Sequence, residues 1–273
     1  PNLHGDMLQI GLDAALAIPH GWSRAIALTA LVPNLQGKMK EKALRAGLDA
    51  ALAIRYDWSR ASALVALAPY LQGDMLRTGL DAASAIHDEG DRARSLTALA
   101  PYLHGKMKEK ALRASLNAAL AIWYGGDRAR ALTALAPYLQ GEMKEKALRA
   151  SLDAALVIQD EKSRSGALVA LAPYLQGELL HDGLNAALAI HSEGSCANAL
   201  VALVPHLTDS THLRRIRCQI DNILYTAYRQ SPRSDLLNYI STPGLIAPPI
   251  FTSDEIAAIA EAIIDVTTKW RWL

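Results

Sequence analysis

The sequence has few residues that favour β-strands. It contains one phenylalanine, and aromatic residues make up 5% of its 273 residues. Half of the chain is apolar, with leucine and alanine dominant. These two residues are strong helix formers, whereas β-branched and aromatic residues suit strands. The composition therefore predicts an all-α protein.

The sequence also lacks a charge excess, a membrane span and a signal peptide. Its net charge is +1, so no overall field favours nucleic acid or acidic lipid. No apolar run reaches the roughly 20 residues that a membrane helix needs, and no secretory signal is visible. Two cysteines, Cys196 and Cys218, have no metal-type spacing and are expected to be buried free thiols. We therefore expect a cytoplasmic protein that binds neither membranes nor nucleic acids.

Motifs that carry chemistry are absent as well. There is no G-x-x-x-x-G-K, no H-E-x-x-H and no G-x-S-x-G. The eight histidines do not pair with cysteine or carboxylate at ligand spacing. The lysines of KMKEK at 38–42 and 106–110 are typical of a solvated helix face, with a phosphate-binding strip as the alternative. The sequence predicts no enzyme, no cofactor and no metal site.

What the sequence does contain is a repeat. Aligned on one proline, six units follow one another with spacings of 32, 36, 32, 36, 36 and 32 residues. The prolines are Pro1, Pro33, Pro69, Pro101, Pro137, Pro173 and Pro205. Self-similarity at this period indicates stacked supersecondary units, each burying its apolar face against its neighbours. We therefore predict an α-solenoid of stacked helical hairpins.

Each unit has the pattern of two helices. In residues 101–136 the first helix is predicted over about 106–122, with leucines spaced by four residues on one face. Gly125 and Gly126 are expected to break it, Asp127 to cap the second helix, and Pro137 to end that helix. Short units read DMLRTGL where long units read KMKEKALRASL. Four residues are about one helical turn, so the short units should lose one turn of the first helix while nearly keeping its phase.

After residue 206 the repeat pattern degrades. We assign residues 1–206 to the tetratricopeptide-like or HEAT-like repeat array and residues 207–273 to C-terminal capping helices, since a solenoid needs a cover for its last apolar face. Thr252 and Glu255 have the spacing of a capping box before the last helix. The first residue already belongs to a complete repeat, so we expect a further domain of the same polypeptide to precede it.

Two polar columns run through the repeats. One column of acidic or amide residues is followed, 11 residues later, by a column of arginines. They are Asp13, Asp49, Asp81, Asn117 and Asp153, then Arg24, Arg60, Arg92, Arg128 and Arg164. We interpret them as a structural ladder of Asp–Arg pairs between helices, worth about 0–1 kcal/mol per pair if exposed. The alternative is a charged ladder that grips an anionic or peptide ligand.

The turns between the two helices vary most and hold many of the few aromatics. Trp and Tyr dominate binding hot spots, and loops on a rigid scaffold commonly carry function. The candidate partner-binding edge consists of Trp22, Tyr56, Trp58, Trp123 and Tyr124. The alternative is that each ring covers the end of its own hairpin. Exposed rings along one edge would favour binding.

The repeats ALTALAPYL (131–139) and ALRASLDAALVIQDEKSRS (147–165), with the ending AAIAEAIIDVTTKWRWL, resemble the helical repeats at the C-terminus of bacterial, notably cyanobacterial, STAND NTPases. In those proteins a signalling NTPase precedes a repeat array that acts as a sensor. The resemblance covers nearly the whole chain and implies a sensor region without catalytic residues. The mean repeat length of 34 residues also resembles tetratricopeptide repeats, although that family's Trp and Gly positions are not matched.

Two functional hypotheses follow. In the first, the chain is a non-catalytic scaffold that binds a protein or peptide, as the sensor or interaction region of a larger bacterial regulatory protein. In the second, it is a structural spacer or oligomerisation module without a specific ligand. The sequence identifies neither the ligand nor the surface that would bind it.

Overall fold

The computed structural model describes residues 5–207, 209–230 and 240–269, and its regular structure is helical throughout these ranges. The first helices of the six hairpins are α1 (Gly5–Leu16), α3 (Gly37–Leu52), α5 (Gly73–Ser84), α7 (Gly105–Ala121), α9 (Gly141–Leu156) and α11 (Gly177–Leu188). The second helices are α2 (Gly21–Leu31), α4 (Asp57–Leu67), α6 (Glu89–Leu99), α8 (Gly125–Leu135), α10 (Glu161–Leu171) and α12 (Glu193–Leu203). Two longer helices follow, α13 (Ser210–Gln230) and α14 (Ser253–Lys269).

The chain forms two compact units, Pro1–Ala150 and Ser151–Leu273. In the first unit consecutive hairpins pack on one another, with α1 on α3 on α5 and with α2 on α4 on α6 on α8. In the second unit α12 packs against α10, α11 and α13. The predicted all-α fold of stacked helical hairpins is confirmed. The predicted division at residue 206 stays a prediction.

The core is a ladder of leucines that repeats with the hairpins. In each hairpin, one leucine of the second helix is fully buried. These leucines are Leu28, Leu64, Leu96, Leu132, Leu168 and Leu200. Small residues of the first helices lie opposite the leucines and let the helices approach closely. For example, a Cβ placed on Gly47 of α3 would lie 3.7 Å from the Cβ of Leu28 and 3.4 Å from a methyl group of Leu67. Leucine and small residues therefore alternate across the helix–helix interfaces, as close packing requires.

The proline of each repeat ends the second helix, as predicted. α8 stops at Leu135, and Pro137 lies in the 3-10 turn Ala136–Tyr138 that follows. The next first helix, α9, then starts at a glycine with a positive φ, 53° at Gly141, with open space where a Cβ would be. Glycine is needed there for its backbone conformation, which L-residues adopt only with strain.

The predicted start of α8 was wrong. Gly125 and Gly126 are its first helical residues, Tyr124 is the N-cap residue, and Asp127 lies in the first turn. The backbone decides this boundary, because Tyr124 is extended and its carbonyl already accepts the N–H of Arg128 at 2.9 Å. Glycine is tolerated at such a position because a helix start places little demand on side chains.

The difference between short and long repeats is one helical turn, as predicted. α5 has 12 residues, whereas α3 has 16 and α7 has 17. The apolar face keeps its phase, since Leu76 and Leu80 of the short helix are buried like Leu44 and Leu48 of the long one. The short repeat therefore presents the same face to its neighbours with a shorter helix.

Helix α13 packs on the last repeat of the second unit, and α14 contacts α13. α13 buries Ile216, Ile220 and Ile223, and its Arg217 forms hydrogen bonds of 3.1 Å with Glu255 of α14. The predicted capping box is confirmed, since the Thr252 N–H donates to the Glu255 carboxylate at 2.8 Å and the Glu255 N–H donates to Thr252 Oγ1 at 3.3 Å. The hydrogen bonds between Arg217 and Glu255 connect α14 to α13.

The Arg217–Glu255 contact predicts a dependence of stability on pH. The Arg217 guanidinium, together with Thr252, lowers the pKa of Glu255 from its ordinary value of 4.5 to about 2. Because the folded pKa lies below the unfolded one, this contribution is complete above pH 4.5 and is lost as the pH falls toward 2. In urea unfolding, the stability difference between the original chain and Glu255→Gln should therefore shrink across this range. A difference that is independent of pH would contradict the assignment.

Candidate binding groove

The arginine column closes the turn within each of the first four hairpins. The guanidinium of Arg92 donates to the carbonyl of Ile86 at 2.7 Å and to that of His87 at 3.0 Å. Arg24, Arg60 and Arg128 make the same bond to the isoleucine six residues earlier, at 2.9–3.1 Å. These carbonyls follow the end of the first helix and have no partner within it. The arginines thus hold the two helices of one hairpin together.

The predicted Asp–Arg ladder does not form among the described residues. The acidic and amide column, Asp13, Asp49, Asp81, Asn117 and Asp153, lies on the exposed face of the first helices. Asp13 pairs with Lys42 at 3.6 Å rather than with Arg24, and Arg164 pairs with Glu161 at 3.3 Å. The reason is geometric, because the other four arginines turn toward the isoleucine carbonyls in the turns of their own hairpins.

A different carboxylate connects consecutive layers. Asp57, the first residue of α4, accepts the backbone N–H groups of His87 and Asp88 at 2.9 and 3.0 Å. In the second unit Glu161 accepts those of His191 and Ser192 at 2.9 and 2.6 Å. The Asp88 N–H lowers the pKa of Asp57, and the His191 N–H lowers that of Glu161. Both carboxylates belong to a long repeat that is followed by a short one. Each binds the turn that follows the first helix of that short repeat.

Four of the five predicted edge aromatics are exposed. Exposure is 91% for Trp123, 79% for Tyr56, and 59% for both Trp58 and Tyr124. Trp22 is half-buried, and its ring centroid lies 6.2 Å from that of Trp58. Its indole nitrogen is buried without a hydrogen-bond partner. The expectation that rings lie exposed along this edge therefore holds for four of them, whereas Trp22 packs against the hairpin core.

Three of these rings line one groove in the first unit. The groove has a volume of about 920 Å³ and follows α6 between α4 and α8. Trp58, Trp123 and Tyr124 line it near the helix N-termini, and Tyr138 lines it near their C-terminal ends. Its apolar floor consists of small side chains, Val65, Ala93, Ala98, Ala131 and Ala134. Tyr56 is not part of its lining.

The second helices of the first two hairpins carry a bulky side chain near their start that the next two hairpins lack. The second residue of the second helix is tryptophan in the first two hairpins, Trp22 and Trp58, and glycine in the next two, Gly90 and Gly126. Gly126 lies under the ring of Tyr124, 3.1 Å away from where a Cβ would be. The groove thus begins where the tryptophan column stops.

Two of the carboxylates that line the groove form ion pairs with arginines. Asp91 and Asp127 form ion pairs with Arg94 and Arg130 at 3.0 and 2.9 Å. Arg94 also donates to Ser62 at 3.2 Å, so it connects α6 to α4. Burial raises the pKa of Asp91, although Arg94 opposes this, and the nearby carboxylates of Asp88 and Asp57 raise it further. Negative charge is therefore concentrated at the start of α6.

Two further lining carboxylates have no cationic partner. Asp88 uses its carboxylate to cap α6, accepting the Asp91 N–H at 2.8 Å. Neither Asp88 nor Glu89 forms an ion pair within the described part of the chain. The aromatic content of the turns does not point to Asp88 or Glu89. The acidic HDEGD stretch at 87–91, flanked by aromatic turns, was the available signal.

Outside the groove, the described residues form no second candidate site. Cys196 is buried, but Cys218 is exposed, contrary to expectation, because it lies on the solvent side of α13. Within the described ranges, no three His, Cys, Asp or Glu side chains come together to hold a metal ion. None of the helices described is long and apolar enough to cross a membrane.

Comparison with known proteins gave no relative. No protein-family model, curated protein or solved structure matches the chain.

Proposed function

We propose that the chain is a non-catalytic repeat scaffold that binds a protein or peptide segment in the groove along α6. The observation that carries the proposal is the exposure of Trp123 and Trp58, 91% and 59%, on opposite sides of one groove. Large rings bury apolar area wherever the fold allows it. Two exposed tryptophans on one concave surface are typical of a binding hot spot.

The layout of the groove supports this function. Its walls belong to three stacked helices of one compact unit, so the rings are carried by a rigid frame. Its volume of about 920 Å³ and its apolar floor with polar rims match the size and character of ligand-binding clefts. Its titratable groups do not favour catalysis, since Asp91 and Asp127 are engaged with arginines rather than converging on a common point.

We further propose that this binding serves as the sensor or interaction step of a larger bacterial regulatory protein. The resemblance of the repeats to the C-terminal arrays of STAND NTPases supports this assignment. In that setting the groove would read a partner, and the signal would pass to another domain of the same polypeptide. Joining the chain to such a domain and measuring nucleotide hydrolysis with and without a groove ligand would test it.

The binding function predicts that Trp123→Ala abolishes most of the affinity for groove ligands. A random-sequence peptide library selected on the original chain supplies the probes. Loss of a central tryptophan commonly costs at least about 2 kcal/mol, so we expect an approximately 30-fold weaker Kd by fluorescence anisotropy. Gly90→Trp, which extends the tryptophan column into the groove, should weaken binding by a similar factor.

Tyr56→Ala is the matched control, because Tyr56 is 79% exposed in the same region yet does not line the groove. It should leave the Kd unchanged. Selected peptides that bind Trp123→Ala and the original chain equally would contradict the proposal. A chain that yields no such peptides and forms a stable oligomer by light scattering would favour the spacer or oligomerisation hypothesis.

A further inference from the structure

We propose that the groove selects a segment carrying an arginine or lysine next to an apolar residue. This inference rests on the proposed function and specifies its ligand class. It depends on three features of the groove: its excess of carboxylates, the rings beside them and the small side chains of its floor. Each feature favours one part of the expected ligand.

The charge of the lining favours a cation. The groove is lined by four carboxylates, Asp88, Glu89, Asp91 and Asp127, and by two arginines, Arg94 and Arg130. Both arginines are already bound to carboxylates, which leaves Asp88 and Glu89 without cations. An approaching anion would meet this excess negative charge, whereas an ammonium or guanidinium group would neutralise it.

The rings beside these carboxylates bind cations by a second mechanism. A lysine or arginine head over the face of a tryptophan or tyrosine is attracted by the ring quadrupole, and tryptophan is the most effective. Trp58, Trp123 and Tyr124 line the groove together with Asp88 and Glu89. Because carboxylates and exposed rings line the same groove, the groove favours a cationic side chain over a purely hydrophobic one.

The floor explains why the cation needs an apolar neighbour. Val65, Ala98, Ala131 and Ala134 are short side chains between the helices, so an incoming chain can approach the helix surfaces closely. An aliphatic side chain next to the cation would cover this floor and contribute about 25 cal/mol per Å² of buried apolar area. A basic residue alone would leave the floor in contact with water.

Acidic residues are favourable at helix N-termini in any protein, because they complement the helix dipole. The charge test therefore has to keep the helix start intact. Asp88→Asn retains an N-cap acceptor, and Glu89→Gln retains size and polarity. The double variant removes two negative charges from the groove while the fold keeps its capping.

The test is the composition of the selected peptides, followed by charge replacement within them. We expect arginine or lysine to be enriched beside leucine, isoleucine or valine. Replacing the arginine of the best binder by citrulline, which is neutral and nearly isosteric, should weaken binding about 3- to 30-fold. Asp88→Asn with Glu89→Gln should weaken the arginine peptide and leave the affinity for the citrulline peptide nearly unchanged.

The two proposals can fail separately. Peptides that depend on Trp123 but are neutral or acidic, or that bind equally with citrulline, would overturn the cation inference and leave the binding function standing. An absence of any peptide that depends on Trp123 would overturn the binding function and the inference with it. A double variant that retains full affinity for the arginine peptide would also overturn the cation inference.

Discussion

Deleting residues 108–111 from α7 should leave a cooperatively folded chain, whereas deleting residues 108–109 should not. The four-residue deletion converts the long sequence GKMKEKALRASL into GKMLRASL, which matches GDMLRTGL of the natural short repeat. Each residue rotates a helix by about 100°, so four residues return the face to within about 40° of its original direction. Leu112 and Leu116 then stay buried, as their counterparts Leu76 and Leu80 are in α5.

The two-residue deletion offers no such solution. It rotates the start of the helix by about 200° relative to its end, so either the leucines leave the core or the turn at Gly105 must unravel. Removing a leucine from the core costs about 2–5 kcal/mol of unfolding free energy. Both Leu112 and Leu116 are affected. Urea unfolding followed by circular dichroism should show one steep transition for the four-residue deletion. For the two-residue deletion it should show a broad transition at much lower urea concentration. If both deletions lowered the unfolding free energy equally, the prediction that four residues preserve the helical phase would be wrong.

Leu96→Ala should cost about 2–5 kcal/mol of unfolding free energy, the range for fully buried leucines. Leu96 is completely buried on α6, which packs against α4, α7 and α8 in the first unit. A cavity there weakens the contacts of an interior layer with both of its neighbours. Because each repeat is stabilised mainly by the next, we also expect a less cooperative urea transition.

Leu52→Ala is the matched control, since the same side chain is removed from a position that is 40% exposed. It should change the free energy of unfolding by less than about 1 kcal/mol. The comparison uses urea midpoints and slopes from circular dichroism of both variants. Similar losses for Leu96→Ala and Leu52→Ala would show that α6 is not part of the buried core.

Most of the fold could be predicted from the sequence because it depends on spacing. The proline interval, the leucines at every fourth residue and the four-residue difference between repeats all describe helices that must pack on one face. Helix boundaries were harder, as at Asp127, because hydrogen bonding by the Tyr124 carbonyl, and not a capping side chain, sets the start of α8. Backbone geometry of this kind leaves little trace in residue type.

The candidate site was only partly predictable. The aromatic turns were recognised, but the groove is also lined by Gly90, where the first two hairpins have tryptophan, and the lack of a side chain gives little signal in a sequence. The arginine column was assigned to the wrong partners, because its acceptors are the carbonyls of residues such as Ile86 and Ile122, which every residue possesses. Contacts between side chain and backbone require a structure.

In the first four hairpins the arginine–carbonyl bond separates the stability of the hairpin from most residues of its turn. Arg92 and Arg128 hold hairpins whose turns read HDEG and WYGG, two unrelated sequences, with the same bond to the isoleucine carbonyl. Turn residues that neither cap a helix, as Asp88 does, nor connect two layers, as Asp57 does, are therefore open to replacement without refolding the layer. New ligand preferences could be engineered, or could evolve, one turn at a time on an unchanged frame.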